Sequence, residues 1–163
     1  MTPPELTNYF TSEKYGAWLL VVLAVAGFAL SAYLWINRSA FLPMVWPLIL
    51  VGLLVGAVGL GVGLRTPAQV TALERSFETA KADTAAAEIQ RMNKVNRNFR
   101  IVKIVEIALV VIGLFLFVFM PIPGTWSSVG MGLILAASVV LVFDTFAHHR
   151  AEVYVKWLQS LGY

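Results

Sequence analysis

Asp144, His148 and Glu152 stand four residues apart near the end of the chain, with His149 beside them. On a helix that spacing puts a carboxylate, an imidazole and a second carboxylate on one face, a set able to hold a divalent metal. The set is incomplete. No second motif supplies further ligands, and the His-Glu-x-x-His pattern of zinc proteases is absent. The expectation is therefore no metal site, with Asp144 paired to a cation and the histidines among polar headgroups.

Lys103 and Glu106 are the second group with chemical potential. They begin the third long apolar run from the side on which Asp144 ends the fourth, and their depths differ from that of Asp144 by only a few times the ~1.5 Å helical rise. Ionisable groups at such depth are costly unless paired, and they mark function by default. Lys103, Glu106 and Asp144 are expected to pair and lock two helices together, or alternatively to gate a proton or cation path. No charge lies deeper in any run, which argues against a carrier with a mid-membrane site.

Arg91, Lys94, Arg97 and Arg100 recur every third residue ahead of Lys103, with Asn93, Asn96 and Asn98 between them. This row is expected to lie among lipid headgroups. Catalytic groups are missing elsewhere. The chain has no cysteine, which excludes disulfides, thiolate metal sites and cysteine nucleophiles. Ser127, Ser128 and Ser138 have no base in sequence reach, no glycine-rich phosphate loop is present, and the two histidines sit at one edge. No enzyme activity and no cofactor are expected.

The elements that position these residues are long apolar helices. Of 163 residues, 59% are apolar and mean hydropathy is +0.78, above the roughly 45–50% apolar usage of soluble domains. Four runs are long enough to span a hydrocarbon core of ~30 Å: about 17–36, 44–64, 104–120 and 129–147. Gly52, Gly56, Gly59 and Gly63 on the second run form small-xxx-small pairs. Such pairs let helices approach closely in lipid, here against Ala24, Gly27 and Ser31 of the first run, or else in an oligomer or around a pore.

Between the second and third runs, Arg65 to Lys103 holds eight of the twelve Lys and Arg residues. With the N-terminus inside, the inner face also gains Lys14, Arg150 and Lys156, and the outer face has only Arg38. Positive charge marks the cytoplasmic side, so both termini are expected in the cytoplasm, and the location expected is a bacterial inner membrane. The net charge of +3 comes from this one segment and signals topology, not nucleic-acid binding.

Thr66, Pro67 and Gln69 resemble a helix start with a capping box. Lys81–Thr84 is the expected break, with Asp83 or Thr84 capping a second arm. A hairpin of about 67–81 and 84–100 follows, unless an unbroken helix swaps into a neighbouring subunit. Glu88 with Arg91 reads as an ordinary solvated pair. The tail carries Ala147, Ala151, Tyr154, Leu158 and Leu161 at alternating steps of four and three, a stripe expected to dock on the hairpin.

The fold class expected is all-α: a polytopic four-transmembrane-helix bundle with a cytosolic helical hairpin and a C-terminal amphipathic helix. Its parts are a cytosolic N-terminal segment (1–16), spans one and two (17–64), the hairpin (65–100), spans three and four (101–147) and the C-terminal helix (148–163). Such a layout suits a non-catalytic interaction protein, an accessory subunit or an immunity-type inhibitor of a membrane complex. Its partners would be the bilayer and either another protein or a second copy. A small oligomeric ion channel or transporter is the alternative.

Overall fold

The computed structural model describes residues 4–161; residues 1–3, 162 and 163, the outermost parts of the terminal segments, lie outside it. Four helices make up almost all of it. They are α1 (Pro4–Ile36), α2 (Val45–Thr79), α3 (Lys81–Phe119) and α4 (Thr125–Ser160), with a short 3-10 turn at Leu42–Met44 before α2. No strand occurs among the described residues. Each helix contains a stretch long and apolar enough to cross a membrane. The share of those stretches buried inside the protein runs from 11% on α3 to 33% on α2. Outer faces such as Leu53, Val58, Ile107, Phe115 and Val118 therefore need an apolar surrounding.

The helices associate as two antiparallel pairs, α1 with α2 and α3 with α4, which meet mainly through α2 and α4. Each helix buries one stripe that advances in steps of three and four residues along its whole length. On α1 the stripe includes Leu6, Phe10, Ala17, Leu20, Ala24 and Ser31. On α2 it includes Val45, Leu48, Gly52, Gly59, Gly63, Thr66 and Phe77. On α3 it is Ala85, Glu88, Met92, Glu106 and Gly113. On α4 it includes Gly130, Ala137, His148, Ala151, Val155 and Leu158. A seven-residue repeat of this kind is the pattern of coiled-coil packing.

What fills the stripe changes along the helices. At the polar end it is large: Leu6, Phe10, Phe77, Met92, Tyr154 and Leu158 belong to one core, and burying each large apolar side chain there contributes about 1.5–3 kcal/mol. In the apolar half a smaller core of Leu34, Met44, Val45 and Leu48 alternates with small residues, because side-chain burial gains little when the surroundings are as apolar as the side chain, and close backbone approach adds contact there. A Cβ on Gly59 would lie 2.6 Å from the carbonyl oxygen of Ala17. One on Gly113 would lie 2.8 Å from the carbonyl oxygen of Gly130, and one on Gly130 would lie 2.6 Å from that of Gly113.

Several boundaries differ from those expected. The N-terminal segment is helical from Pro4. Thr11, Ser12 and Glu13 are residue types that cap helices, yet they lie inside α1, because Leu6 and Phe10 continue its buried stripe and their burial outweighs a local cap. Thr66-Pro67 does not start a helix: α2 runs through Pro67. Thr66 turns inward, its hydroxyl donating to the carbonyl oxygen of Val62 at 2.7 Å, and Pro67 merely leaves one backbone bond unmade. The chain reverses at Ala80, which no side chain caps. Thr84 ties this turn as a donor, from its hydroxyl to the carbonyl of Ser76 at 3.1 Å, and Asp83 is not the cap. The C-terminal helix is not separate either, because α4 continues without a break to Ser160.

The opposite end is closed by two turns. Asn37–Ser39 ends α1 with amide N–H groups of Arg38 and Ser39 donating to the carbonyls of Trp35 and Leu34 at 3.3 and 3.2 Å, a Schellman arrangement. It places Arg38 at φ 46°, where glycine is the usual residue. Between α3 and α4, Ser127 donates to the carbonyl of Pro121 at 2.8 Å and Ser128 to that of Gly124 at 2.7 Å. Both serines are buried and hold a turn.

Candidate functional site

The α3–α4 seam brings Gly113 against Gly130, Glu106 against Asp144, and Phe99 with Lys103 against His148. The arrangement follows helical periodicity, since residues 99, 106 and 113 on α3, and 130, 137 and 144 on α4, fall at the same point of the repeat, and Lys103 and His148 stand one turn from Phe99 and Asp144. Glu106 is 5% exposed, and neither of its carboxylate oxygens has a hydrogen-bond donor.

Lys103 does not bridge the two acids. Its ammonium donates to Nδ1 of His148 at 2.7 Å, because on α3 it points one turn toward the polar end, where His148 stands one turn beyond Asp144. An ammonium only donates, so Nδ1 accepts and the imidazole carries its proton on Nε2. That nitrogen approaches Oε1 of Glu152 at 3.4 Å. The ring stacks on Phe99, centroids 5.6 Å apart. Burial first, and then the Lys103 charge, hold the imidazole below its ordinary pKa, so it is neutral at physiological pH. Asp144, His148 and Glu152 do share a face, but Lys103 occupies the lone pair a metal would use. Among the described residues no group of three or more His, Asp or Glu is arranged to hold a metal ion.

A second polar cluster lies at the polar end; the sequence marks Glu88, Arg91, Gln69 and Tyr154 each for another reason, and gives no sign of Tyr9 or Glu13 beside them. Glu88 is 4% exposed. Arg91 donates to it through Nε at 2.8 Å and Nη2 at 2.7 Å. With the amide oxygen of Gln69 turned toward it, the guanidinium also donates to Gln69 at 3.1 and 3.2 Å. Arg91 therefore does not lie among headgroups, and the Glu88–Arg91 pair is not a solvated one. Glu88 falls on the buried stripe between Ala85 and Met92, which fixes the direction of both. Lys94, Arg97 and Arg100 are exposed, because a step of three residues rotates each side chain by about 60° around the helix and the row winds away from the core.

Tyr9 and Tyr154 stack with centroids 4.3 Å apart in the same cluster, and the Tyr9 hydroxyl donates to Sδ of Met92 at 3.8 Å. Burial, reinforced by Glu13 at Tyr9 and by Glu88 at Tyr154, raises both phenols above their ordinary range. Burial also raises the Glu13 carboxyl, against the opposing charges of Arg91 and Arg65. Extending the tail's three-and-four stripe to the N-terminus would have found Leu6, Phe10 and Glu13, which lie on the same repeat.

The glycine face is occupied from within the chain. Gly52, Gly56, Gly59 and Gly63 face Phe28, Ala24, Ala17 and Trp18 of α1. A groove of about 200 Å³ remains between α1, α2 and α4, lined by apolar residues including Ala24, Gly27, Leu48, Gly52 and Ala136. No protein-family model, curated protein or solved structure matches the chain.

Proposed function

We propose that the chain is an integral membrane protein that crosses the bilayer four times, with both termini and the large-residue core in the cytoplasm, and that it acts by binding another membrane protein. The positive-inside distribution supports the orientation. The observation that carries the functional reading is the closed seam. Direct backbone approach at Gly113–Gly130 and Gly59–Ala17 packs those helices tightly against each other, while α3 presents the least buried of the four apolar stretches. Tightly packed helix pairs with an exposed apolar face on α3 suit an accessory or partner-neutralising subunit better than a conduit.

Photo-crosslinking tests this. A photoreactive residue at Phe115 or Val118, both on the outer face of α3, should capture one membrane protein in stoichiometric yield from native membranes. The same probe at Leu53 on α2 should capture lipid. Capture of lipid alone from α3, together with ion flux through the purified protein in liposomes, would replace this reading with the channel. Cysteine labelling at position 38 from outside and at position 94 only from inside checks the orientation; labelling of both from one side would overturn it.

A further inference from the structure

The acid pair on the α3–α4 seam is unusual in what surrounds it. Glu106 is almost wholly buried, both of its carboxylate oxygens lack a donor, and the side chain facing it across the seam is another acid, Asp144. The remaining charged group facing either of them among the described residues is Lys103 of α3, and its ammonium is turned to His148. An isolated buried carboxylate is costly, and two that face each other are costlier.

One ligand resolves the contact. A single proton turns one acid into an O–H donor and leaves the other as its acceptor, giving a short charge-assisted hydrogen bond across the seam. The pair then carries one negative charge, balanced by Lys103. A metal cation fits less well, since hard cations need six or more oxygen ligands and no third acid or histidine joins the pair in a metal-holding group. We propose that Glu106 and Asp144 form a proton-binding site that clamps α3 to α4, holding one shared proton at neutral pH and releasing it when the helices part. This is independent of what the protein binds through α3.

The full chain in liposomes provides the test, with carboxyl groups read by infrared difference spectroscopy in H2O and D2O. At neutral pH one protonated carboxyl per chain should be present, and it should vanish in Glu106→Gln and in Asp144→Asn. Both substitutions supply an amide donor to the remaining carboxylate, so the fold is kept. Thermal stability should fall on alkalinisation in the wild type and should not in the double variant Glu106→Gln/Asp144→Asn. Three results would overturn the proposal. They are the absence of a protonated carboxyl, a signal that survives both substitutions, or a signal that sodium displaces at constant pH, which would make the ligand a metal cation.

Discussion

Adding one methyl group at Gly113 is the sharpest test of how α3 and α4 are held. A Cβ there would sit 2.8 Å from the carbonyl oxygen of Gly130, and at Gly130 it would sit 2.6 Å from that of Gly113 and 2.8 Å from the amide nitrogen of Phe117. Ordinary contact begins at 3.4 Å, so the helices must part by about 0.6 Å in the first case and about 0.8 Å in the second. The obstructing atoms are backbone, which cannot rotate aside, and overpacking of this kind costs about 1–3 kcal/mol. Alanine also gains about 1 kcal/mol over glycine in any helix interior, so the comparison must be with Gly61→Ala, whose Cβ meets nothing within 4 Å. The propensity gain is common to both variants. Gly113→Ala should therefore be about 1–3 kcal/mol less stable than Gly61→Ala in thermal or denaturant unfolding in micelles. The double variant Gly113→Ala/Gly130→Ala should cost less than the two single losses added, because the first separation makes room for the second. Equal stability of Gly113→Ala and Gly61→Ala would refute close backbone approach as the force joining these helices.

Three further outcomes follow from other sites. Arg38→Gly should stabilise the protein by about 1 kcal/mol, since a left-handed non-glycine residue costs roughly 1–2; an unchanged melting temperature would show that the turn relaxes freely. Arg91→Met should cost about 3 kcal/mol by leaving Glu88 buried without its partner, and adding Glu88→Met should recover most of it; equal losses in single and double variants would contradict the buried pair. For His148, the folded state holds the imidazole pKa below the unfolded 6.5. Between those two values the unfolded chain binds more protons, so stability should rise with pH up to about 6.5 and be lost below it. His148→Phe should flatten that part of the pH–stability profile, and a profile identical to wild type would remove His148 from it.

The four apolar runs were legible because charge-free stretches of that length have few other uses, and the hairpin was legible because its ends had to meet. The stripe Ala151, Tyr154, Leu158 stood out because polar residues surround it. The glycines of the second run stood out by their spacing, but the same repeat through Gly113 and Gly130 was hidden, since every face of those segments is apolar and periodicity leaves no contrast. Polar groups on the stripe were misread for a related reason. Glu88 and Arg91 look like a surface pair at helical spacing, and only the direction set by Ala85 and Met92 turns them inward. Glu106 and Asp144 were found from depth, yet the partner of Lys103 was not, because a neutral histidine offers no charge to pair with. Thr66-Pro67 carried a strong local start signal that continuous packing on α1 overrode.

The uninterrupted helices constrain how the molecule can move. From 33 residues in α1 to 39 in α3, they are rods of roughly 50–58 Å at ~1.5 Å per residue, and none has a loop where the apolar half meets the polar half. A loop there would let the two halves swing independently. Without one, twist and thrust applied to the polar end reach the far end of the same rod. The one softened joint is on α2, where Pro67 omits a backbone bond. A working motion that keeps the rods intact is then a sliding of one helix past its antiparallel partner along their length, and the small-residue seams are the tracks on which it would run.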